Sequence, residues 1–130
     1  MSIVFSTRIE EGILQVRASG YDESLEDVRH YAAGVLQQCI ESGVRFILCD
    51  ETELEYRLGT FDLYELGKFF SSSVPREIRV AIVCSPEDIS DTVFFENVVV
   101  NRGHSLKLFR ESQEAKQWLL STGVDGEISN

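Results

Sequence analysis

The chain has 130 residues, which is the usual length of one domain and is long enough to bury a hydrophobic core. Hydrophobic residues make up 43% of it and charged residues 26%, so its composition is that of a globular protein and excludes a disordered one. The net charge is −10, the acidic excess is spread over both halves, and no cluster of Lys or Arg offers a track for phosphates. This balance argues against nonspecific binding to nucleic acid or to anionic lipid surfaces.

The cysteine content and the absence of long apolar runs predict where in the cell the protein lies. Cys39, Cys49 and Cys84 stand in apolar contexts, and an odd number of cysteines with no close pairing fits a reducing cytosol. The first residues lack the basic and apolar regions of a signal peptide. No run approaches the roughly 18 apolar residues that a membrane span requires. We therefore expect a cytoplasmic protein with no membrane span.

The first third of the chain predicts a β-hairpin followed by a helix. Residues 3–8 and 13–18 are apolar-rich and are separated by a short link that contains glycine, as in a hairpin. Apolar residues then recur at helical spacing. Asp22 or Ser24 is the predicted N-cap of this helix, and Gly43 is its predicted left-handed stop.

The middle of the chain predicts a buried strand, an acidic loop and a second helix. Residues 45–50 form the strand, and we predict a parallel neighbour for it because a crossover helix precedes it. Residues 50–59 are acidic and are predicted to form an exposed loop. The second helix begins between Thr60 and Asp62 and is predicted to end at residues 71–75.

The last third alternates strand and helix with short links, which is the pattern of an α/β domain. The predicted segments are a strand over 79–84, a turn over 85–88, a helix over 93–100, a strand over 106–109 and a closing helix from Ser112. The complete order is ββαβαβαβα in one domain, with a mixed β-sheet and packed helices. We place the domain at residues 1–122 and a flexible C-terminal tail at 123–130.

Three segments of this pattern resemble a known family. Residues 46–50 resemble a central strand that ends in an acidic residue, residues 78–83 resemble the next parallel strand, and residues 108–119 contain the closing pattern F-x-x-x-x-E-A-x-x-W-L. The order and these segments resemble the STAS domain, and more narrowly the SpoIIAA-like (STAS/SEC14-related) group of small bacterial proteins, over about residues 3–122. The resemblance implies a non-enzymatic regulatory or protein-interaction module similar to anti-sigma factor antagonists. It also implies a protein partner and allows a homodimer.

The resemblance also implies a candidate phosphoacceptor. In anti-sigma factor antagonists of this class, a partner kinase phosphorylates a serine at the start of the helix that follows the central strand, and this abolishes partner binding. Thr60 is the only hydroxyl residue close to that position here. In that class the serine stands in an Asp-Ser-Ser/Thr-Gly motif, and the preceding Asp and the following Gly of that motif are missing here. The preferred interpretation of Thr60 is therefore that of helix N-cap, and the phosphoacceptor is the alternative.

The acidic segment has two interpretations. The carboxylates of Asp50, Glu51, Glu53 and Glu55 are oxygen ligands of the kind that Ca²⁺ or Mg²⁺ takes, but their spacing does not match an EF-hand loop. The preferred interpretation is a solvated acidic surface beyond the carboxyl end of a central strand, where open α/β sheets bind ligands. We predict no metal and no cofactor, and we predict a surface that docks a partner, with the candidate residues Asp50, Glu53, Glu55, Arg57 and Asp62.

The histidines and cysteines give little support for catalysis. His30 and His104 have no close set of metal-ligating residues around them in the sequence. A nucleophile–base pair between Cys84 and a histidine is an alternative, because such pairs are assembled in space. The preferred interpretation of Cys84 is a buried structural thiol at the end of an apolar strand.

Five phenylalanines lie on two of the predicted helices, and their first interpretation is that they form core. Four of the five form two adjacent pairs, and because neighbours lie about 100° apart on a helix, one member of each pair can be exposed. The alternative is an apolar groove between the two helices, which would make the protein a carrier or sensor of a small apolar ligand or lipid, as in SEC14-related proteins. The candidates for this groove are Phe61, Phe69, Phe70, Phe94 and Phe95.

Overall fold

The predicted N-terminal hairpin begins the fold. The computed structural model describes the backbone of residues 2–125, and the side chains of these residues except 89, 91 and 121–125. Strand β1 (Ile3–Glu10) pairs antiparallel with β2 (Ile13–Tyr21). Glu11 and Gly12 join them with φ of 59° and 78°, and a two-residue hairpin turn of type I′ requires this left-handed conformation at both positions.

Three further strands, parallel to β2, complete the sheet, and helices connect them. The elements after β2 are α1 (Leu25–Ser42), β3 (Phe46–Glu55), α2 (Thr60–Ser73), β4 (Arg79–Val83), α3 (Ile89–Asn101), β5 (Ser105–Phe109) and α4 (Ser112–Asp125). The strand order is β1-β2-β3-β4-β5, with β2 to β5 parallel to one another. The predicted order ββαβαβαβα, the mixed sheet and the parallel neighbour of β3 are confirmed.

The boundaries of α1 show which predicted cap is used. The side chain of Ser24 accepts a hydrogen bond of 3.2 Å from the backbone N–H of Asp27, so Ser24 is the N-cap. Gly43 adopts a φ of 78° after the helix, and its N–H donates to the carbonyl of Cys39 at 3.0 Å. Asp22, the other predicted cap, lies outside the helix and has a different role, described below.

The two faces of the sheet are covered unequally. Helices α1, α2 and α3 cover one face, here called the front face, where β3 and β4 contribute Ile47, Cys49, Val80 and Ile82 to the larger core cluster. The opposite, back face carries a smaller cluster in which Ala115 and Leu119 of α4 pack against the sheet, together with Ile13, Leu48, Ala81 and Val83. Strand alternation sends successive side chains to opposite faces, so both faces of the parallel strands are apolar.

The predicted boundaries are confirmed in part. The acidic loop predicted from Asp50 is wrong as far as Glu55, because β3 continues through this segment. Helix α2 ends at Ser73 with Val74 as its C-cap, which agrees with the predicted end at residues 71–75. Helix α3 begins at Ile89, four residues before its predicted start at 93. Helix α4 extends to Asp125, into the segment predicted as a tail, and the remainder of that tail lies outside the described residues. Among residues 2–125 no helix combines the length and apolarity needed to cross a membrane.

Candidate functional site

A bulge in β3 shapes the site. Arg17 of β2 pairs with Asp50 and Ser19 pairs with Glu53, so between these pairs one residue of β2 faces two of β3, and β3 carries one extra residue. Asp50 stabilises this irregularity locally, because its Oδ1 accepts hydrogen bonds from the backbone N–H of Thr52 at 3.1 Å and from the Thr52 hydroxyl at 2.7 Å.

The bulge decides which acidic side chains face the core. Strict alternation from Ile47 would place positions 51, 53 and 55, all glutamates, on the front face. Because of the extra residue, Glu51 is buried on that face, whereas Glu53 and Glu55 are exposed. Leu54 takes the inward position instead and joins the larger core cluster. The front face therefore receives one carboxyl group instead of three.

A cavity of about 130 Å³ lies between the front face of the sheet and helices α1, α2 and α3. Most of its lining is aliphatic or aromatic. The lining includes Val28, Ala32, Val35 and Leu36 of α1, Leu63, Leu66 and Phe70 of α2, Phe95 of α3, and Ile47, Leu54, Val80 and Ile82 of the sheet. Polar groups lie toward the carboxyl ends of the parallel strands, which is where open α/β sheets bind ligands.

Glu51 is the central polar group of this cavity. Its side chain is held by two phenols: the Tyr31 hydroxyl donates to Oε2 at 2.9 Å, and the Tyr56 hydroxyl donates to Oε1. Burial raises the pKa of Glu51, and the two phenol hydrogen bonds oppose this effect. The residues that line the cavity in the described part of the chain include no Lys, Arg or His. Glu51 thus has hydrogen-bond donors but no cationic partner in the cavity.

Asp22 lines the same cavity, in the link between β2 and α1. Its Oδ1 accepts a hydrogen bond from the backbone N–H of Arg57, so it fixes the segment that follows β3. Burial raises the pKa of Asp22 to about 6, while bonds from the backbone N–H groups of Arg57 and Leu58 act in the opposite direction. Sequence reasoning treated Asp22 only as a possible helix cap and missed Tyr31 and Tyr56, because no local pattern shows that these side chains meet.

The five predicted docking residues do not form one patch. Glu53, Glu55 and Arg57 are exposed around the end of β3, and the Arg57 Nε lies 3.2 Å from Glu55 Oε2. Asp62 is half-buried in the first turn of α2, on the front side. Asp50 points to the back of the sheet, where it lines a polar groove with Lys116 of α4 and lies 3.9 Å from the Arg17 guanidinium.

Thr60 occupies the first position of α2 and is exposed. The prediction that it is the N-cap is wrong, because Gly59 occupies that position and no side chain caps this helix. In any helix the first backbone N–H groups have no intrahelical acceptor, and the helix dipole favours negative charge there. The role of Thr60 as phosphoacceptor stays a prediction.

The five phenylalanines separate into three environments. Phe70 and Phe95 line the cavity, with their ring centroids 6.0 Å apart in an edge-to-face arrangement. Phe69 and Phe94 are half-buried and do not line it, and the guanidinium of Arg29 lies 5.4 Å from the Phe69 ring centroid. Phe61 is 73% exposed. The cavity therefore includes two of the five residues and is bounded by α1 as well as by α2 and α3.

The cysteine and histidine side chains do not form a nucleophilic site. Cys84 is buried, and burial raises the pKa of its thiol, which disfavours the reactive thiolate. His104 is buried with its ring centroid 6.0 Å from that of Phe70, and His30 is exposed on α1. Within the described residues, no group of three or more His, Cys, Asp and Glu side chains is arranged to hold a metal ion.

The fold matches solved structures, whereas no family model and no curated protein matches the sequence. An anti-sigma factor antagonist from Mycobacterium paratuberculosis matches with a TM-score of 0.66 and 13% identity, over 92% of this chain and 95% of the other. A protein of the DUF3478 family with a SpoIIAA-like fold, from Shewanella loihica PV-4, matches with a TM-score of 0.52 and 22% identity, over 91% and 94% of the two chains. The chain is therefore a single α/β domain with the STAS/SpoIIAA-like fold.

Proposed function

We propose that this protein is a cytoplasmic, bacterial, non-enzymatic regulatory module that acts by binding another protein. The observation that carries the proposal is the shared fold with an anti-sigma factor antagonist over nearly the whole length of both chains. The raised thiol pKa of Cys84 agrees with a module that performs no nucleophilic chemistry. A homodimer is compatible with this proposal.

The docking surface that we propose is centred on Phe61. A phenylalanine with 73% exposure at the start of a helix leaves a large apolar area in water, and such residues are frequent anchors of protein interfaces. Exposed carboxylates lie on the strand that leads to this helix, at Glu53 and Glu55. The partner surface that fits is an apolar pocket with basic residues at its rim, because opposite charges speed association and exclude wrong partners.

Thr60 gives this surface a means of control. It adjoins Phe61, it is exposed, and it occupies the first position of α2. A phosphate at a helix N-terminus is stabilised by backbone N–H groups, and it would add negative charge directly beside the aromatic anchor. We propose that phosphorylation of Thr60 by a partner kinase changes the affinity of the Phe61 surface.

The test is partner capture from extracts of the source cells, with each variant immobilised in turn and bound proteins quantified by mass spectrometry. We expect Phe61→Ala to reduce capture of the specific partner at least tenfold, a loss of about 1.4 kcal/mol of binding free energy. Ile40→Ala is the matched control, since Ile40 is 61% exposed on α1, away from this surface. Its capture should equal that of the wild type, and all variants should melt at the same temperature.

Two outcomes would contradict the proposal in different ways. If Phe61→Ala and the wild type capture the same partner equally, the docking surface is wrong although the function stands. If no protein is enriched over a blank resin at any salt concentration, the interaction function itself fails. Two further comparisons show which charges of the surface affect partner capture. The charge reversals Glu53→Lys and Glu55→Lys test the two carboxylates, and Thr60→Glu compared with Thr60→Ala tests a negative charge at position 60.

A further inference from the structure

The cavity beneath α1, α2 and α3 has a chemistry that the docking function does not use. It is about 130 Å³ in volume, and closely packed interiors contain few voids larger than a water molecule. Apolar cavities of roughly 150 Å³ in other proteins stay dry and take up molecules the size of benzene. The volume thus suits a small molecule with an apolar body of about six to eight heavy atoms.

The polar end of the cavity carries only acidic and phenolic groups. Glu51 and Asp22 both line it, and each is less than one-tenth exposed. Both oxygens of Glu51 accept one phenol hydrogen bond each, which leaves each oxygen a further lone pair. The lining residues of the described chain supply no Lys, Arg or His to neutralise these carboxyl groups.

We propose that this cavity is a binding site for a small hydrophobic amine, with the apolar body between the helices and the sheet and the ammonium group beside Glu51 and Asp22. An ammonium group supplies the cation that the site lacks and donates to the free lone pairs of Glu51. A carboxylate ligand of the same shape would place a third acidic group next to two others. A neutral alcohol would fill the cavity without neutralising either carboxyl group.

The surroundings of Glu51 also support a site that discriminates by charge. Burial raises the pKa of Glu51, the two phenol hydrogen bonds oppose this, and the nearby Asp22 and Asp50 raise the pKa further, so an ammonium group beside Glu51 would favour the ionised carboxylate that the site otherwise disfavours. Arg57 interacts electrostatically with Asp22, but its side chain lies outside the cavity lining and pairs with Glu55 on the surface, so it does not neutralise Glu51. A ligand cation is therefore the missing partner of a carboxyl group that the fold already buries and orients.

Three probes of matched size test the proposal: benzylamine, benzyl alcohol and benzoate. Binding is followed by backbone amide chemical shifts of the full chain, with dissociation constants from titration at pH 7. We expect benzylamine to bind at least tenfold more tightly than benzyl alcohol, and benzoate to bind most weakly. The shifts should map to α1, α2 and β3 around the cavity.

Two variants assign the preference to the site. Glu51→Gln keeps the size and an acceptor oxygen but cannot ionise, so the advantage of the amine over the alcohol should fall to near one while the alcohol still binds. Ala32→Leu places extra volume in the cavity and should weaken all three probes together. Equal affinity of the wild type for benzylamine and benzoate, retention of the amine preference in Glu51→Gln, or no binding of any probe would overturn the proposal. Because the three probes are compared on the wild type first, the test does not depend on whether a variant folds.

Discussion

At the scale of single residues, three carboxyl groups are buried among the described acids, and two of them, Asp22 and Glu51, line the cavity. Asp22 accepts a hydrogen bond from the backbone N–H of Arg57, 35 positions away in sequence, and thereby holds the segment after β3. This bond satisfies a backbone N–H that would otherwise lack an acceptor beyond the end of the strand. The carboxyl group has this role in either protonation state. Its burial, however, favours the neutral form, so Asp22 makes the stability of the fold depend on pH.

Replacement of Asp22 by Asn should remove that dependence. The pKa of Asp22 is 3.8 in the unfolded chain and about 6 in the fold, so the native state binds more protons between these values. The contribution of Asp22 to stability therefore falls as pH rises from about 4 to about 6. Asp22→Asn should match the wild type near pH 4 and exceed it at pH 7 by about 1 to 3 kcal/mol, measured by urea unfolding at four pH values.

Glu77→Gln is the control for this experiment, since Glu77 is exposed in the link before β4. It should follow the wild type at every pH. A constant difference between Asp22→Asn and the wild type from pH 4 to pH 7 would show that Asp22 acts only through the geometry of its hydrogen bonds.

At the scale of secondary structure elements, α2 and α3 approach each other at a glycine. A Cβ atom added to Gly67 would lie 2.5 Å from Cγ1 of Val98, which is closer than two carbon atoms can pack. The helices therefore meet at a distance that a glycine at this position permits. The same two helices carry Phe70 and Phe95, so their separation also sets the width of the cavity.

Gly67→Ala should therefore destabilise the protein although alanine is the better helix former. Helix propensity alone would favour alanine by about 1 kcal/mol. The clash with Val98 should outweigh this and give a net loss of about 1 to 3 kcal/mol in urea unfolding. The double variant Gly67→Ala, Val98→Ala should recover at least half of that loss relative to Val98→Ala alone. Stabilisation by the single variant would show that α2 and α3 can separate freely.

The elements also show what a sequence can and cannot predict here. Each helix and strand carries its own periodicity, and caps such as Ser24 and Gly43 are local, so the order of elements was readable. The extent of β3 could not be predicted from the sequence, because its second half is acidic and the bulge interrupts the alternation on which strand prediction depends. The cavity joins Asp22, Tyr31 and Tyr56 across three separate segments, and only the tertiary packing brings them to Glu51.

At the scale of the whole molecule, the net charge of −10 acts on a surface with few strong ion pairs. The ion pairs between described residues, such as Arg8 with Glu10 and Lys68 with Glu65, each include at least one exposed side chain and are of the kind that contributes little to stability. Repulsion among the excess carboxylates therefore dominates the surface electrostatics and opposes the compact state.

Salt should consequently stabilise the protein. Raising NaCl from about 0.02 M to about 0.5 M shortens the screening length severalfold, so we expect the melting temperature to rise by a few degrees in calorimetry. Glu53→Lys combined with Glu55→Lys is the control. Each change replaces a negative charge with a positive one, so the net charge of −10 becomes −6 and the rise in melting temperature should be smaller. A melting temperature that decreases with salt would indicate that local ion pairs outweigh the overall repulsion.

The bulge in β3 has a consequence for how this strand tolerates changes in length. After the bulge, β2 and β3 pair from Ser19 with Glu53 to Tyr21 with Glu55. This is the register that a regular strand lacking Thr52 would have. Deletion of Thr52 would therefore leave the side chains of Glu51 and Leu54 on the front face. Deletion of a residue before Glu51 would turn the side chains on one side of the deletion to the opposite face of the sheet. One-residue insertions and deletions in homologues are accordingly expected to cluster between Glu51 and Leu54, where the strand can change length while the core composition stays constant.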